Sequence, residues 1–184
     1  MSRPPAPSWS VEEVAMLKQT LQGLLVDECK PAVVRAAEQR GMSYAPDLWK
    51  QLGALGFIGL PLDPQYGGMG APWEVTCLMQ EMLGRALAPA PIVPSVFPSA
   101  LLIQSVEETR IQEEWLPRII GGECLVAAPV GSEPFGEPPT VTEGEGGAEL
   151  RGTIRHLPLV EAAEAVAVVA VDTRGRPGCA SSLR

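Results

Sequence analysis

The pattern of apolar residues changes once along the chain, near Gly121 and Gly122. Before this point, apolar residues recur every three or four positions, which is typical of amphipathic helices. After it, they form short runs separated by turn-forming residues, which is typical of β-strands. Helices followed by consecutive strands favour two segregated units over an alternating α/β sheet. The sequence therefore predicts an α+β fold in which an all-α helical bundle precedes a truncated antiparallel β domain.

Local signals place the first helices. Ser10 is followed three residues later by Glu13, a spacing that can form a capping box, so the first helix is expected to begin near Val11. Pro31 is expected to kink or restart that helix. A further helix is expected to begin near Pro46, because proline suits the first helical turn.

The clearest helical pattern opens at Pro72, and its apolar face is expected to be buried. That face consists of Val75, Leu78, Met79, Met82 and Leu83. The proline-rich passage 89–94 then interrupts the chain. Two more helical patterns follow, over residues 95–104 and 107–120.

Strand-like runs fill much of the second part of the chain. They cover residues 124–130, 140–142, 148–154 and 165–171. Beyond Val171 the sequence has no apolar periodicity, so no strand is predicted there and the β region looks cut short. These patterns predict a disordered tail at 1–10, a helical domain at 11–122 and a partial β domain at 123–184.

Composition and charge exclude several classes of partner. Hydrophobic residues make up 46% and charged residues 20% of the chain, which is globular composition. Since no apolar run reaches the roughly 18 residues that span a bilayer, no membrane partner is predicted. The first seven residues do not form a secretion signal, which predicts a cytoplasmic protein. The net charge of −8, without a basic cluster, argues against nucleic acid.

The four cysteines are far apart in the sequence, and His156 is the single histidine. This arrangement favours free thiols over a zinc site, because paired cysteines with zinc-ligand spacing are absent. No metal site is predicted.

Three blocks carry a family resemblance, in the order and rough spacing that the family uses. They are residues 48–70 (LWKQLGALGFIGLPLDPQYGGMG), residues 81–91 (EMLGRALAPAP) and residues 114–123 (EWLPRIIGGE). With these blocks the chain resembles the acyl-CoA dehydrogenase family. A bare helical interaction module is the alternative that periodicity alone leaves open.

The resemblance implies a fold and a reaction. Family members have an N-terminal helical domain, a middle β domain and a C-terminal four-helix domain, of which this chain covers the first and part of the second. They remove a proton α to an acyl-CoA thioester carbonyl and pass a hydride from the β carbon to FAD. Because the glutamate base of the family lies in or near the C-terminal domain, no catalytic residue is assigned in this chain.

The resemblance also implies candidate contacts with FAD. Val130, Ser132 and Glu133 stand where relatives meet the flavin, with Ser132 in place of the usual threonine. The stretch 131–136 fits a plain turn equally well. His156 stands at the usual aromatic position and Pro158 at the usual hydroxyl position, so the flavin-facing chemistry of this hairpin is altered. A single histidine on a strand is also commonly a surface or core residue.

Relatives place the loop that corresponds to Tyr66, Gly67, Gly68 and Met69 near the acyl pocket, which makes these residues candidates for acyl-CoA binding. The same residues also fit a turn between packed helices.

Two functions stay open for a chain with this resemblance. The chain is either part of an FAD-dependent acyl-CoA dehydrogenase, completed by a second acyl-CoA dehydrogenase chain, or a non-catalytic partner subunit or degenerate remnant of such an enzyme.

Overall fold

The computed structural model describes residues 9–39, 41, 44–129, 139–144, 147–154, 157–175 and 177–183. The helices in this part of the chain are α1 (Val11–Glu28), α2 (Pro31–Gln39), α3 (Pro46–Ala54), α4 (Trp73–Arg85), α5 (Phe97–Ser105) and α6 (Thr109–Ile120). The strands are β1 (Val126–Ala127), β2 (Thr140–Gly144), β3 (Gly147–Arg151), β4 (Ala165–Val171) and β5 (Pro177–Leu183). A 3-10 turn spans Pro64–Tyr66, and a π-helical turn spans Ile92–Val96.

The chain forms two compact units. The first unit comprises Met1–Pro91 and Ile120–Glu123, and it contains α1 to α4. The second unit comprises Ile92–Ile119 and Cys124–Arg184, and it contains α5, nearly all of α6 and the strands. Packing therefore groups α5 and α6 with the sheet, although both are helices. The boundary that the sequence predicts between the helical domain and the β domain, at residues 122 and 123, stays a prediction.

Helix α1 begins where the sequence places it. The Ser10 hydroxyl accepts a hydrogen bond from the Glu13 N–H at 3.1 Å, and the Glu13 carboxylate accepts one from the Ser10 N–H at 2.7 Å. The predicted capping box is thus confirmed. Hydrogen bonding from Ser10 to the Glu13 carboxylate holds the pKa of Glu13 below its usual value, because it favours the charged form. The Ser10 N–H has the larger effect and the Ser10 hydroxyl the smaller one.

The core of the first unit is built around α3 and the loop that follows it. Leu48, Trp49 and Leu52 on one face of α3 are at most 2% exposed. The loop then contributes four more side chains with no exposed surface, namely Phe57, Ile58, Leu60 and Leu62. Full burial of each such side chain contributes roughly 1.5–3 kcal/mol, so this short stretch supplies much of the stability of the unit.

Helix α4 begins at Trp73, one residue after the expected Pro72. Val75, Met79 and Leu83 are buried, as predicted. Leu78 and Met82 are only half-buried, so the prediction of a fully buried face is wrong for these two residues. They line an open groove between α1 and α4, because α1 covers only part of the apolar face.

Helix α4 ends in a Schellman turn around Leu87. The Leu87 N–H donates to the Gly84 carbonyl and the Ala88 N–H donates to the Leu83 carbonyl, both at 3.0 Å. Leu87 has a φ of 50°, in the left-handed region where glycine is less costly than leucine. Its side chain is 73% exposed, so core packing does not offset this cost.

In the second unit, buried hydroxyls stabilise the junction between the π-helical turn and α5. The Ser99 hydroxyl donates to the Ser95 carbonyl at 2.9 Å. The Ser95 hydroxyl donates to the Val126 carbonyl in β1 at 3.1 Å. Both serines are at most 1% exposed. Since a buried polar group without a partner costs about 1–3 kcal/mol, these bonds make the serine side chains compatible with an apolar core.

Strand β4 is the centre of the sheet. It pairs antiparallel with β5 along its whole length. Its other edge pairs in parallel with β1, where Val126 lies opposite Ala165, and with β2, where Thr140 lies opposite Val171. β2 and β3 form an antiparallel hairpin. The described sheet is therefore mixed, and β1 and β2 share one edge of β4.

The predicted α+β class, with helices before strands, is confirmed. Two details differ from the sequence prediction. The sheet contains parallel pairs, which the long connections from β1 and β2 to β4 permit. β5 lies in a segment for which no strand was predicted, because its conformation follows the free edge of β4 and not its own apolar pattern.

The left-handed conformation of Leu87 predicts the effect of one substitution. Leu87→Gly should raise the free energy of unfolding by about 1 kcal/mol, because glycine adopts this φ without a steric penalty. Urea denaturation followed by circular dichroism measures the change. Leu87→Ala is the control, since it removes the side chain and keeps the penalty. A glycine variant no more stable than the alanine variant would contradict the assignment.

The buried hydroxyl of Ser95 predicts a second effect. Ser95→Ala should lower the free energy of unfolding by about 1–3 kcal/mol, because the bond to the Val126 carbonyl is lost in a buried site. Ser105→Ala removes an exposed hydroxyl that bonds within α5, and it should change the free energy of unfolding by less than about 0.5 kcal/mol. Thermal unfolding of the two variants tests this, and equal effects would argue against a stabilising role for the Ser95 bond.

Candidate functional site

The predicted substrate loop is a compact turn in the first unit. Asp63 begins it, because its carboxylate accepts a hydrogen bond from the Gln65 N–H at 3.0 Å. The ends of the loop are joined by backbone bonds. The Met69 N–H donates to the Gly59 carbonyl at 3.1 Å, and the Ala71 N–H donates to the Leu60 carbonyl at 2.7 Å. These bonds hold Tyr66 to Met69 in a defined conformation.

Within this loop the four predicted substrate residues differ in exposure. Tyr66 is buried at 9% exposure, Gly68 and Met69 are half-buried, and Gly67 is exposed. A Cβ on Gly68 would overlap the Leu62 carbonyl, so glycine is required there by packing inside the loop. The alternative reading as a turn therefore accounts for Gly68, and contact of these residues with acyl-CoA stays a prediction.

The surface grooves in the described part of the first unit include one between α1 and α4, with a volume of about 640 Å³. Another has a volume of about 400 Å³ and is lined mostly by residues of α2 and α3. Neither groove is lined by Tyr66, Gly67, Gly68 or Met69. The predicted substrate residues thus do not form the wall of either cavity.

Most of the predicted flavin residues, namely Val130, Ser132, Glu133 and His156, lie outside the described residues. Pro158 is described and is half-buried. It belongs to a turn in which the N–H groups of Ala162 and Ala163 both donate to the Leu159 carbonyl at 3.0 Å. Leu159 has a φ of 61°, which is unusual for leucine.

In the sequence, the two predicted flavin segments flank β1 and β4, which are neighbouring strands. Residues 130–133 follow β1, and the turn 157–163 precedes β4, which pairs in parallel with β1. The Glu164 N–H donates to the Leu125 carbonyl at 2.8 Å at the start of this pairing. A backbone contact in the second unit therefore joins the residue before β1 to the residue before β4, although the two are distant in sequence.

An ion pair joins α6 to the start of β4. The Arg118 guanidinium donates to both oxygens of the Glu164 carboxylate, at 2.7 and 2.9 Å, and lies 5.3 Å from the centre of the Trp115 ring. The side chains are 35% and 48% exposed, so solvent screens the pair and it contributes under about 1 kcal/mol. The sequence does not predict this pair, since no local pattern links residues so far apart.

The cysteines show no metal-binding arrangement in the described structure. Cys29 and Cys77 are free thiols. No group of three histidine, cysteine, aspartate or glutamate side chains in this part of the chain could hold a metal ion. Burial, followed by the charge of Glu28, raises the pKa of Cys29 and keeps it a thiol. Of the described helices, none has the length and apolarity needed to cross a membrane.

Comparison with known families decides what the chain is related to. The sequence model of the acyl-CoA dehydrogenase N-terminal domain matches residues 11–123, which is more than half of the chain. This protein belongs to the acyl-CoA dehydrogenase family. The resemblance seen in the sequence is thereby confirmed.

Individual acyl-CoA dehydrogenases support this membership. The chain is 32% identical over 104 residues to the acyl-CoA dehydrogenase IpdE2 of Mycolicibacterium smegmatis, which covers 56% of this chain and 33% of that protein. It is 29% identical over 126 residues to mitochondrial isovaleryl-CoA dehydrogenase of Bos taurus, which covers 67% of this chain and 29% of that protein. The chain thus spans about a third of the length of these relatives.

Solved acyl-CoA dehydrogenase structures have the same fold. A variant of the Tcur3481-Tcur3483 steroid ACAD matches with a TM-score of 0.76 and 25% identity, over 94% of this chain and 48% of that one. The ChsE4-ChsE5 complex of Mycobacterium tuberculosis matches with a TM-score of 0.80 and 19% identity, over 95% of this chain and 48% of that one. An acyl-CoA dehydrogenase of Bacillus anthracis, complexed with FAD, matches with a TM-score of 0.79 and 23% identity, over 97% of this chain and 32% of that one.

The packing of Gly68 predicts a site-specific loss of stability. Gly68→Ala should lower the free energy of unfolding by about 1–3 kcal/mol, because the added methyl group would overlap the Leu62 carbonyl. Gly23→Ala in α1 is the matched control: its Cβ meets no atom within 4 Å, and it should raise stability by about 0.5–1 kcal/mol. Chemical denaturation compares the two, and a neutral Gly68→Ala variant would show that the loop can relax.

Proposed function

We propose that this chain is part of a flavin-dependent acyl-CoA dehydrogenase, which introduces an α,β double bond into acyl-CoA thioesters with FAD as hydride acceptor. The observation that carries the proposal is the match of residues 11–123 to the N-terminal domain of this family. We further propose that residues outside this chain are required for activity, which the coverage of about a third of its relatives supports.

Bound FAD would supply the two-electron acceptor that amino acid side chains lack. The residues of this chain would bind and orient the thioester. We assign contact with the acyl group to the segment Tyr66, Gly67, Gly68 and Met69. The half-buried Met69 suits this role, because a flexible thioether adapts to apolar ligands. We assign the base that removes the α proton to no residue of this chain.

The described residues fit only part of the chemistry that a flavin ring requires. The ring edge carries several hydrogen-bonding atoms, and Pro158 has neither an N–H nor a side-chain donor. Ile154, four residues earlier, is also apolar. The side chains of Pro158 and Ile154 fit an apolar contact with a flat ring and supply no hydrogen-bond donor to it. We therefore propose that flavin contacts by Val130, Ser132, Glu133 and His156 accompany donors from a second chain.

The chemistry of Pro158 also favours a second candidate, a non-catalytic subunit that completes a partner acyl-CoA dehydrogenase. The names of the Tcur3481-Tcur3483 enzyme and the ChsE4-ChsE5 complex each join two components, which supports such an arrangement. In this version, the partner supplies the flavin donors and the base, and this chain supplies packing surface. A cytoplasmic location is part of both proposals.

Flavin uptake tests the proposed function. The chain is purified alone and after co-expression with a second acyl-CoA dehydrogenase chain from the same genome, and each sample is titrated with FAD. We expect a complex with bound flavin whose visible absorbance bleaches when acyl-CoA is added, because the reaction reduces the ring. Flavin in the chain alone supports the first candidate. Flavin in the complex alone is expected from both candidates, because both take flavin donors from a second chain. Colourless samples in both arms, with excess FAD, would refute both candidates.

A further inference from the structure

The guanidinium group of Arg118 is held from two sides in the second unit. Its Nη2 atom donates to both oxygens of the Glu164 carboxylate, at 2.7 and 2.9 Å. Its Cζ atom lies 5.3 Å from the centre of the Trp115 ring, within the range of a cation–π contact. Trp115 is three residues earlier on the same face of α6 and is 6% exposed, so the core fixes its ring. The two contacts together give the Arg118 side chain a defined direction.

Glu164 connects this ion pair to the backbone at the start of β4. Its N–H donates to the carbonyl of Leu125, the residue before β1, at 2.8 Å. Its neighbours Ala163 and Ala165 are at most 6% exposed, so the backbone is anchored in the core on both sides of Glu164. The backbone of Glu164 therefore binds the β1 segment while its side chain binds α6.

The turn 157–163, which leads into Glu164, has a conformation that its own sequence does not favour. Leu159 has a φ of 61°, in the left-handed region that is costly for leucine. The Leu159 carbonyl accepts the N–H groups of Ala162 and Ala163, both at 3.0 Å. A backbone of this kind persists only when the surrounding structure restrains it. The backbone and side-chain contacts of Glu164 restrain the end of this turn.

Pro158 lies in the same turn and is the described residue to which an apolar contact with the flavin ring is assigned above. We propose that Arg118 is a positioning residue, which acts through Glu164 to hold the turn 157–163 in the conformation that presents Pro158 to the ring. The part of this inference that concerns the ring rests on the proposed function. Because solvent screens the pair, its loss changes a local equilibrium by up to about fivefold, which is enough to alter the turn and too little to unfold the unit.

Hydrogen exchange of the full chain tests the turn without any flavin. Arg118→Met keeps the apolar stem and removes the charge, and the amides of residues 162–164 should then exchange about three- to fivefold faster. Arg118→Lys keeps the charge and should change their exchange by less than about twofold. Amides of β4 that pair with β5 should not change in either variant. Arg85→Met breaks another exposed ion pair, with Glu81 at 2.8 Å, and is the matched control that should leave the turn unchanged.

A double variant tests whether Arg118 acts through Glu164. Glu164→Gln should have the same effect on exchange as Arg118→Met, and the double variant should exchange no faster than either, because both changes remove one interaction. Unchanged exchange of residues 162–164 in Arg118→Met would overturn the proposal. Additive effects of the two single variants would also overturn it, since they would show that Arg118 and Glu164 act separately.

FAD titration tests the role of the turn at the ring. In the sample that takes up FAD, Arg118→Met should raise the Kd for FAD by about two- to fivefold, and Arg118→Lys should leave it nearly unchanged. Faster exchange with an unchanged Kd would overturn the proposal by making the pair purely structural. FAD uptake by no sample would refute the proposed function and the role at the ring together, and the exchange rates would still show whether Arg118 holds the turn.

Discussion

The close approach of Gly53 to the backbone of Gly121 and Gly122 is the contact on which the first unit depends. A Cβ on Gly53 would overlap the Gly121 carbonyl, so helix and loop meet without a side chain between them. Gly59 makes a similar contact with the Ile120 side chain. The short segment Ile120–Glu123 is the only part of the unit that comes from beyond residue 91, and these contacts hold it there. Larger residues at these positions would force the loop after α3 away from its core.

The sequence predicts helices more accurately than it predicts their partners. The capping box of α1 and the proline starts of α2 and α3 depend on neighbouring residues, and the structure has these helices where they were expected. By contrast, β5 contains proline, glycine and serine and becomes a strand because β4 presents an unpaired edge. Leu78 and Met82 look like core residues by spacing, yet each stays partly accessible, since the spacing does not reveal how much of a face a neighbour covers.

The sequence also predicts only part of the candidate site. Family motifs in the sequence identified residues 66–69, and the structure explains why this loop has its shape: Asp63 caps it, Tyr66 is buried in it and Gly68 lies against a carbonyl. The links between Ser95 and Val126 and between Arg118 and Glu164 had no comparable signal. Each joins residues far apart in sequence, so only the three-dimensional fold reveals it. Both lie within the second unit.

The position of β4 has a consequence for the order in which the two units fold. The first unit has all of its residues once the chain has been synthesised as far as Glu123. β4 pairs on one edge with β5, so the sheet is incomplete until Pro177–Leu183 has left the ribosome. The parallel pairs of β4 with β1 and β2 close long loops, and such pairing is slow compared with helix packing. The second unit therefore completes its folding later than the first, and until then its central strand has an open edge that other chains can reach.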